Sequence, residues 1–500
     1  MIRLVPFNET HIKLVCDDWG LEQEISDYFT FFVHGYRYNP KFKNGMWDGK
    51  IRLIDQRRKT IYRGLMDEVI SYCKSRSIEF EVDVSLKNTI DITLEQSSGF
   101  VDKLNLHARG EKLDIRDYQY DAVHQVLSHN RRLLLSPTAS GKSMIIYSAI
   151  RWHLQHERNI LIIVPTTLLV EQLFSDFKEY STANGFDVEA NISTLYSGKE
   201  RVFDKPVVIS TWQSLAAMLK NDAEKYQTLV DRTDVLCFDE IHLLAKATVV
   251  QSVVEKFTKT KYRIGTTGTL DDAKINALTL TGLIGPIYKV TTTARLMADQ
   301  HVVELDIKCT VLNYPDHIRK AYKGQTYQEE INFLVGYEPR NRFLAKLTSV
   351  LPGNVLVLFN FVDRHGAVLE KMVKEITDRP VFFIHGGVAT ADRELIRKLL
   401  DNEKNAIVIA TASLMSTGVN IPSIENIVFA IPSKSTIRVR QSIGRGLRLK
   451  DGKTKCKLFD ISDDLSYKSY TNTTLKHLEE RIGIYEKESF QYTISKISIS

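Results

Sequence analysis

The stretch Leu133-Leu-Leu-Ser-Pro-Thr-Ala-Ser-Gly-Lys142-Ser143 constrains this chain more than any other. An apolar run breaks into a loop of small residues ending in Gly-Lys-Ser, and Met144-Ile-Ile-Tyr-Ser-Ala-Ile then continues as a helix. A strand that delivers a small-residue loop to a helix N-terminus lets backbone N–H groups close around phosphate oxygens. Thr138, Ala139, Ser140 and Gly141 would form that cradle, Lys142 would reach the β- and γ-phosphates of ATP, and Ser143 would bind Mg²⁺. Ser136 stands at the first position of the G-x-x-x-x-G-K-[ST] pattern, where Gly is usual, so a helix that merely begins Gly-Lys-Ser is the plainer alternative.

About a hundred residues downstream, Val235-Leu-Cys-Phe-Asp239-Glu240-Ile-His242 is a second apolar strand that ends in adjacent carboxylates. Asp239 would hold the Mg²⁺ through its water shell, and Glu240 would orient and deprotonate the water that attacks the γ-phosphate. Carboxylate pairs such as Asp271-Asp272 and Asp463-Asp464 are expected to be solvated loops.

Apolar strands alternate with helical stretches from about 108 to 295, near 133–135, 159–164, 206–210, 234–238 and 262–265. The alternation returns at 355–359, 381–384, 406–410, 427–430 and 455–460, and each series predicts a parallel α/β sheet. In such sheets ligands collect beyond the C-terminal strand ends, where both candidate motifs sit. The expected fold is α/β, with a small N-terminal α+β domain over 1–107 and two parallel-sheet lobes over 108–295 and 296–500. The first of these rests on alternating runs at 2–5, 12–15, 50–54, 80–84 and 90–94 and a helical period at 65–73. The polar stretch 317–351 reads as a helical insertion or a connector, and 466–487 as a terminal helix.

Net charge is +6, from 67 basic and 61 acidic residues, too mild to prove a polyanionic partner. Its distribution says more. Between His34 and Arg63 stand nine basic residues, among them Arg37, Lys41, Lys43, Arg57 and Arg58, against the acids Asp48 and Asp55. Tyr36, Tyr38, Phe42, Trp47 and Tyr62 are interleaved with them. Rings that stack on bases beside cations that meet phosphates make a nucleic-acid surface, and a hairpin with one solvated face is the alternative. Asp27, Asp48 and Lys50 weakly imitate a nuclease core, but Gly45, Trp47 and Gly49 read better as a turn, and no metal is assigned there. The five cysteines lie far apart with no C-x-x-C pair, which fits a reducing compartment. The first seven residues are too short an apolar run for a signal peptide and no run nears 18 apolar residues, so a cytoplasmic protein without a membrane partner is expected.

The motif order resembles the superfamily-two helicases and translocases, built on paired RecA-like lobes, from about residue 113 to 460. Ser136 to Ser143 resembles motif I, Ile163 to Gln172 motif Ia, Ile209 to Gln213 motif Ib, and Asp239-Glu-Ile-His242 a DExH form of motif II. Thr267-Gly-Thr269 holds the place of motif III, Val357 to Asn360 that of motif IV, and Ser416 to Asn420 that of motif V. Gln441-Ser-Ile-Gly-Arg445-Gly-Leu-Arg448 fits motif VI, while Ala139, Gly268 and Asn420 depart from common family residues. The resemblance implies ATP between the lobes, with Tyr118 and Gln119 at adenine, Gly418 at the nucleotide, and Gln441, Arg445 and Arg448 brought to the γ-phosphate by the second lobe. It also implies backbone contacts to DNA through Thr166, Thr211 and Thr417.

Gly35-Tyr-Arg-Tyr-Asn-Pro40, Trp47-Asp-Gly-Lys-Ile-Arg-Leu53 and Lys323-Gly-Gln-Thr-Tyr-Gln-Glu-Glu330 further resemble the recombination helicases of T-even bacteriophages. That likeness implies 3′ to 5′ movement on branched DNA (forks, Holliday junctions and R-loops), hence single-stranded and duplex DNA and RNA–DNA hybrid as partners, in recombination, repair and replication-fork rescue in the host cytoplasm. A restriction-system motor subunit, an RNA helicase, and a DNA-binding module with an inactive ATPase are the rival readings.

Overall fold

The computed structural model describes the chain apart from residues 34, 109, 197–202, 244–247, 271–273, 387–398, 400–402, 413–423, 431–454 and 500. The chain forms two compact units, Met1–Ser136 with Ser140–Thr291, and Pro137–Ala139 with Thr292–Ser500. Among the described residues no helix is long and apolar enough to cross a membrane.

The first unit holds two large sheets and two two-stranded ones. Its amino-terminal part is a five-stranded sheet in the order Ile54–Asp55, Thr60–Tyr62, His11–Cys16, Ile2–Pro6, Phe80–Val82, antiparallel except for the last pair. Alternation puts Ile2, Leu4, Ile12 and Leu14 on one face, where they pack with Ile25, Phe29, Val69 and Cys73 from two helices. The expected strand at 90–94 does not form. Thr93 instead caps the helix Leu94–Lys103, accepting from Gln96 N while the Gln96 side chain accepts from Thr93 N. That capping box satisfies two helix-end donors, and the local gain overrides the alternating pattern.

The second sheet of this unit has seven parallel strands, ordered Ile192–Leu195, Val207–Thr211, Ile160–Val164, Val235–Phe238, Tyr262–Thr267, Arg131–Leu135, Ile287–Lys289. The amino-terminal domain is bolted to it. Glu9 meets Arg63 at 2.7 Å and Arg131 at 2.9 Å, and Thr10 Oγ1 accepts from Arg263 at 2.7 Å, all three guanidiniums being buried. Tyr62 OH donates to Glu255, and Gly64 lies so close to the Thr281 carbonyl that an added Cβ would sit 1.9 Å from it.

The second unit repeats the plan. Its seven parallel strands run Val381–Ile384, Ile407–Thr411, Asn354–Phe359, Ile424–Phe429, Lys455–Asp464, Glu304–Asn313, Tyr492–Ser498. Numbered along the chain within each unit, both seven-stranded sheets read 3-4-2-5-6-1-7. Paired RecA-like lobes account for this repeated topology.

Stretch 317–351 forms the helices Asp316–Ala321, Tyr327–Gly336 and Glu338–Val350, whose Ile331, Leu334, Leu344 and Ala345 are part of the lobe's core. Asp463 corrects one expectation. It is fully buried, gripped by Arg340 at 2.7 and 3.0 Å and by Tyr314 OH at 2.7 Å. A buried carboxylate survives only when charge and lone pairs are both met, as this fork and hydroxyl do. Asp460 is held in the same way by Arg481 and Tyr485. Asp271 and Asp272 lie outside the described residues.

Candidate nucleotide site and nucleic-acid interface

Strand Arg131–Leu135 ends at Ser136, whose N–H donates to the Thr267 carbonyl of the neighbouring strand at 2.8 Å. Its hydroxyl bonds Ser140 Oγ at 2.6 Å, so Ser136 is buried and braces the loop from within. A glycine here would lack that brace. Helix Lys142–Gln155 is capped by Gly141 at φ +89°, and a Cβ on Gly141 would lie 2.2 Å from Gln119 Nε2. Only glycine therefore fits both the left-handed backbone and the contact.

Gln119 is more than an adenine candidate. Its Nε2 donates to the Ser140 carbonyl at 2.9 Å and its Oε1 accepts from Arg116 N at 3.0 Å, tying the preceding helix to the phosphate loop. Tyr118 beside it is buried, its hydroxyl accepting from Arg116 Nη1 at 2.6 Å. This fastening was not legible from the residue's spacing alone.

Strand Val235–Phe238 brings the two carboxylates to the same sheet edge. Lys142 Nζ donates to the Ser136 carbonyl at 3.2 Å and stands 3.7 Å from Glu240 Oε1. Asp239 is buried, accepting from Thr266 Oγ1 at 2.6 Å and from Glu240 N at 2.9 Å. Burial and the adjacent Glu240 charge push the Asp239 carboxyl up, against the pull of Lys142 and the Thr266 bond. A cation beside it would relieve that strain. Two non-glycine residues here hold left-handed backbone, Ala139 at φ +66° and Glu240 at φ +52°. Such conformations cost about 1–3 kcal/mol each and gather at functional sites.

His242 links the carboxylates to the next strand. Its Nδ1 lies 3.3 Å from Glu240 Oε2 and 2.8 Å from Thr267 Oγ1. Thr267 spends its hydroxyl proton on the Thr269 carbonyl at 2.8 Å, so Nδ1 carries the proton that it shares with Thr267. Motifs I, II and III thus form one connected network. Ser143 Oγ bonds the hydroxyl of the half-buried Tyr180 at 2.8 Å. If the serine proton is the one shared, the Ser143 lone pairs stay available for a cation.

Thr166 and Thr211 cap the helices Thr167–Tyr180 and Trp212–Asn221, and Thr211 pairs with Val164 across adjacent strands. Both therefore reach one edge with helix N-termini behind them. Gln441, Arg445, Arg448, Thr417 and Gly418 lie outside the described residues.

In the amino-terminal domain, strands Thr30–Phe32 and Lys50–Arg52 pair antiparallel, and residues 35–49 between them include the short helical turns Tyr36–Tyr38 and Pro40–Lys43. Phe32, Tyr36 and Phe42 pack together, Lys50 Nζ lies 5.0 Å over Phe32, and Trp47 Nε1 donates to the Lys50 carbonyl at 2.8 Å. Arg37, Lys41, Lys43, Arg57 and Arg58 are exposed, whereas Trp47 is half-buried as a clasp of the turn. Asp48 accepts from Lys50 N at 3.0 Å and pairs with Arg52, so it closes the turn.

Residues 2–83 match the family described as DNA helicase UvsW, N-terminal; residues 112–272 match type III restriction enzyme, res subunit; and residues 340–450 match the helicase conserved C-terminal domain. The chain is 32% identical to the ATP-dependent DNA helicase uvsW of Enterobacteria phage T4, over 98% of each protein. The chain belongs to the UvsW family of DNA helicases. The crystal structure of T4 UvsW superposes with a TM-score of 0.52 at 30% identity, covering 99% of both chains. The helicase MrfA bound to DNA, at 17% identity and a TM-score of 0.53 over 82% of this chain and 56% of its own, shares the fold alone. With that membership the chain is an ATP-dependent DNA helicase.

Proposed function

We propose that this helicase hydrolyses ATP with Mg²⁺ at the strand tips of its first lobe and moves 3′ to 5′ along branched DNA, using its amino-terminal domain to favour forks and junctions. The convergence of Lys142, Asp239 and Glu240 at one sheet edge carries the reading. Lys142 compensates phosphate charge in place of its present carbonyl partner, and Glu240 orients the attacking water and accepts its proton. Asp239 and Ser143 would hold the Mg²⁺, which neutralises the β- and γ-oxygens; such sites use one or two protein ligands, the rest being phosphate and water. Arg445 and Arg448, with Gln441, would complete the γ-phosphate site. Thr166, Thr211 and Thr417 would grip the DNA backbone, with Arg37, Lys41, Lys43, Arg57 and Arg58 as the accessory grip. The 32% identity to a protein named an ATP-dependent DNA helicase supports this, and the intact Lys142, Asp239 and Glu240 speak against an inactive binding module.

ATPase turnover on linear, forked and four-way DNA, and on RNA, tests the proposal. Forked or four-way DNA should stimulate most. Lys142→Ala and Glu240→Gln should each abolish turnover, the second while still binding ATP. Near-normal hydrolysis by either variant would overturn the site, and equal stimulation by RNA would overturn the substrate.

A further inference from the structure

Between helix Trp19–Tyr28 and the five-stranded sheet lies a cavity of about 170 Å³ that neither the ATP site nor segment 33–49 uses. Its floor is Ile2, Leu14, Ile25 and Ile54, each at most 6% exposed. Pockets for drug-sized ligands run roughly 300–1,000 Å³, so this one takes a single ring system.

The rim is polar and flat-sided. Trp19, at the first turn of its helix, leaves its side chain 78% exposed at the cavity mouth and stacks on no other ring among the described residues. Gln56 Nε2 donates to Ser26 Oγ at 2.9 Å and Gln23 Nε2 to Asp27 Oδ1 at 3.0 Å. Gln56 Nε2 also donates to Gln23 Oε1 at 3.4 Å, which leaves Gln56 Oε1 as an acceptor and one Gln23 N–H as a donor for the edge of a planar heterocycle. Gln56 and Lys59 come from the short turn that also carries Arg57 and Arg58, both exposed, with backbone N–H groups of those arginines fixed on Asp55 Oδ1 at 3.0 and 3.1 Å. Lys59 is spent on the rim carboxylate Glu22 at 2.8 Å and Arg58 lies 3.9 Å from Asp55, so the exposed Arg57, with Arg58 at its side, is the charge left for a phosphate. An apolar floor, an indole at the lip, amides at the edge and these arginines alongside fit a flat ring that belongs to a polyanion.

We propose that this cavity receives one unpaired nucleobase of branched DNA, stacked on Trp19, with its edge on Gln23 and Gln56 and its flanking phosphates on Arg57 and Arg58. The inference rests on the branched-DNA reading above and deepens it. Inside a duplex a base enters such a pocket only after unpairing and unstacking, at a cost of a few kcal/mol, whereas a branch point supplies bases already released. The pocket would favour branches over plain duplex without reading sequence.

The test is equilibrium binding of the full chain to a fork with one single-stranded arm, normal or abasic throughout. Base stacking is typically worth enough to change affinity about 5- to 150-fold. Trp19→Ala should weaken binding to the normal arm by a factor in that range and leave binding to the abasic arm unchanged, so that the normal-to-abasic ratio shrinks. Gln56→Leu, which leaves the indole in place, should shrink the same ratio less. An unchanged ratio in both variants would overturn the proposal, as when the cavity holds an apolar side chain of a partner protein. Equal weakening on both arms would overturn it too. Turnover at saturating fork and circular dichroism should match wild type. A wild-type chain that bound no fork would sink the functional reading instead.

Discussion

Glu9→Gln is the substitution whose cost the structure specifies most closely. Three guanidiniums, Arg63, Arg131 and Arg263, are buried where the amino-terminal domain meets the first parallel sheet, and Glu9 supplies the carboxylate that faces Arg63 at 2.7 Å and Arg131 at 2.9 Å. Burial and its neighbour Arg63 pull Arg131 down to about 10, with Glu9 opposing, and Arg263 is lowered further by burial and by Arg131. Arg131 Nε and Nη1 have no hydrogen-bond partner, so its charge depends on Glu9. Removing one partner of a buried pair costs about 3–5 kcal/mol. Glutamine keeps one carbonyl acceptor and Glu9 is partly exposed, which favours the lower end, about 3 kcal/mol, or roughly 150-fold in the opening equilibrium. Native-state hydrogen exchange on the full chain reads this directly. Protection at Leu14 and Leu133 should fall by that factor while strand Asn354–Phe359 keeps its own. Adding Arg131→Met should recover most of the loss, because the orphaned cation is what costs. A loss below about 1 kcal/mol, or a second substitution that deepens it, would refute the reasoning.

Arg448→Ala should cost about 10³ to 10⁵ in turnover with nucleotide affinity nearly intact; weak ATP binding with normal turnover would contradict the assignment. Changing Lys41, Lys43, Arg57 and Arg58 to Ala should weaken fork binding and flatten its log–log salt dependence by roughly 0.9 per lost duplex phosphate contact, and an unchanged slope would leave a solvated hairpin. His153 and His365 are buried and pulled down to about 3 from the ordinary 6.5. The unfolded chain therefore binds the extra protons first, so stability should fall as pH drops from about 6.5 towards 3, by up to ~1.4 kcal/mol per pH unit for each. Urea unfolding at stepped pH checks this, and His153→Gln should remove that histidine's share of the slope, leaving the part owed to His129, which burial lowers to about 4.

The phosphate loop and the Asp239-Glu240 tip could be read from sequence because each is local: an apolar strand, then the reactive residues within a few positions. Alternation likewise predicted most of the central strands. Strand Glu304–Asn313 was missed although Leu305, Ile307, Cys309 and Val311 alternate with Glu304, Asp306, Lys308 and Thr310 in strand fashion, whereas edge strand Tyr492–Ser498 escaped because it is nearly all exposed. Contacts across long separations left no local trace. Glu9 and Arg131 stand 122 positions apart, and Arg340 and Asp463 stand 123 apart, so burial of those charges shows only in three dimensions. Ile90 to Leu94 misled because a capping box can hide inside an alternating run.

The bolt around Glu9 has a mechanical meaning. Arg131 opens the strand that Leu135 closes at the phosphate loop, and Arg263 is the second residue of the strand that ends at Thr267. At about 3.3 Å per residue the loop begins some 16 Å from the guanidinium-bearing residue. Accessory domain and nucleotide site therefore hang from opposite ends of the same two rods. A domain so fastened rides with the first lobe's sheet and leaves the far rim of that sheet uncovered by its bolt.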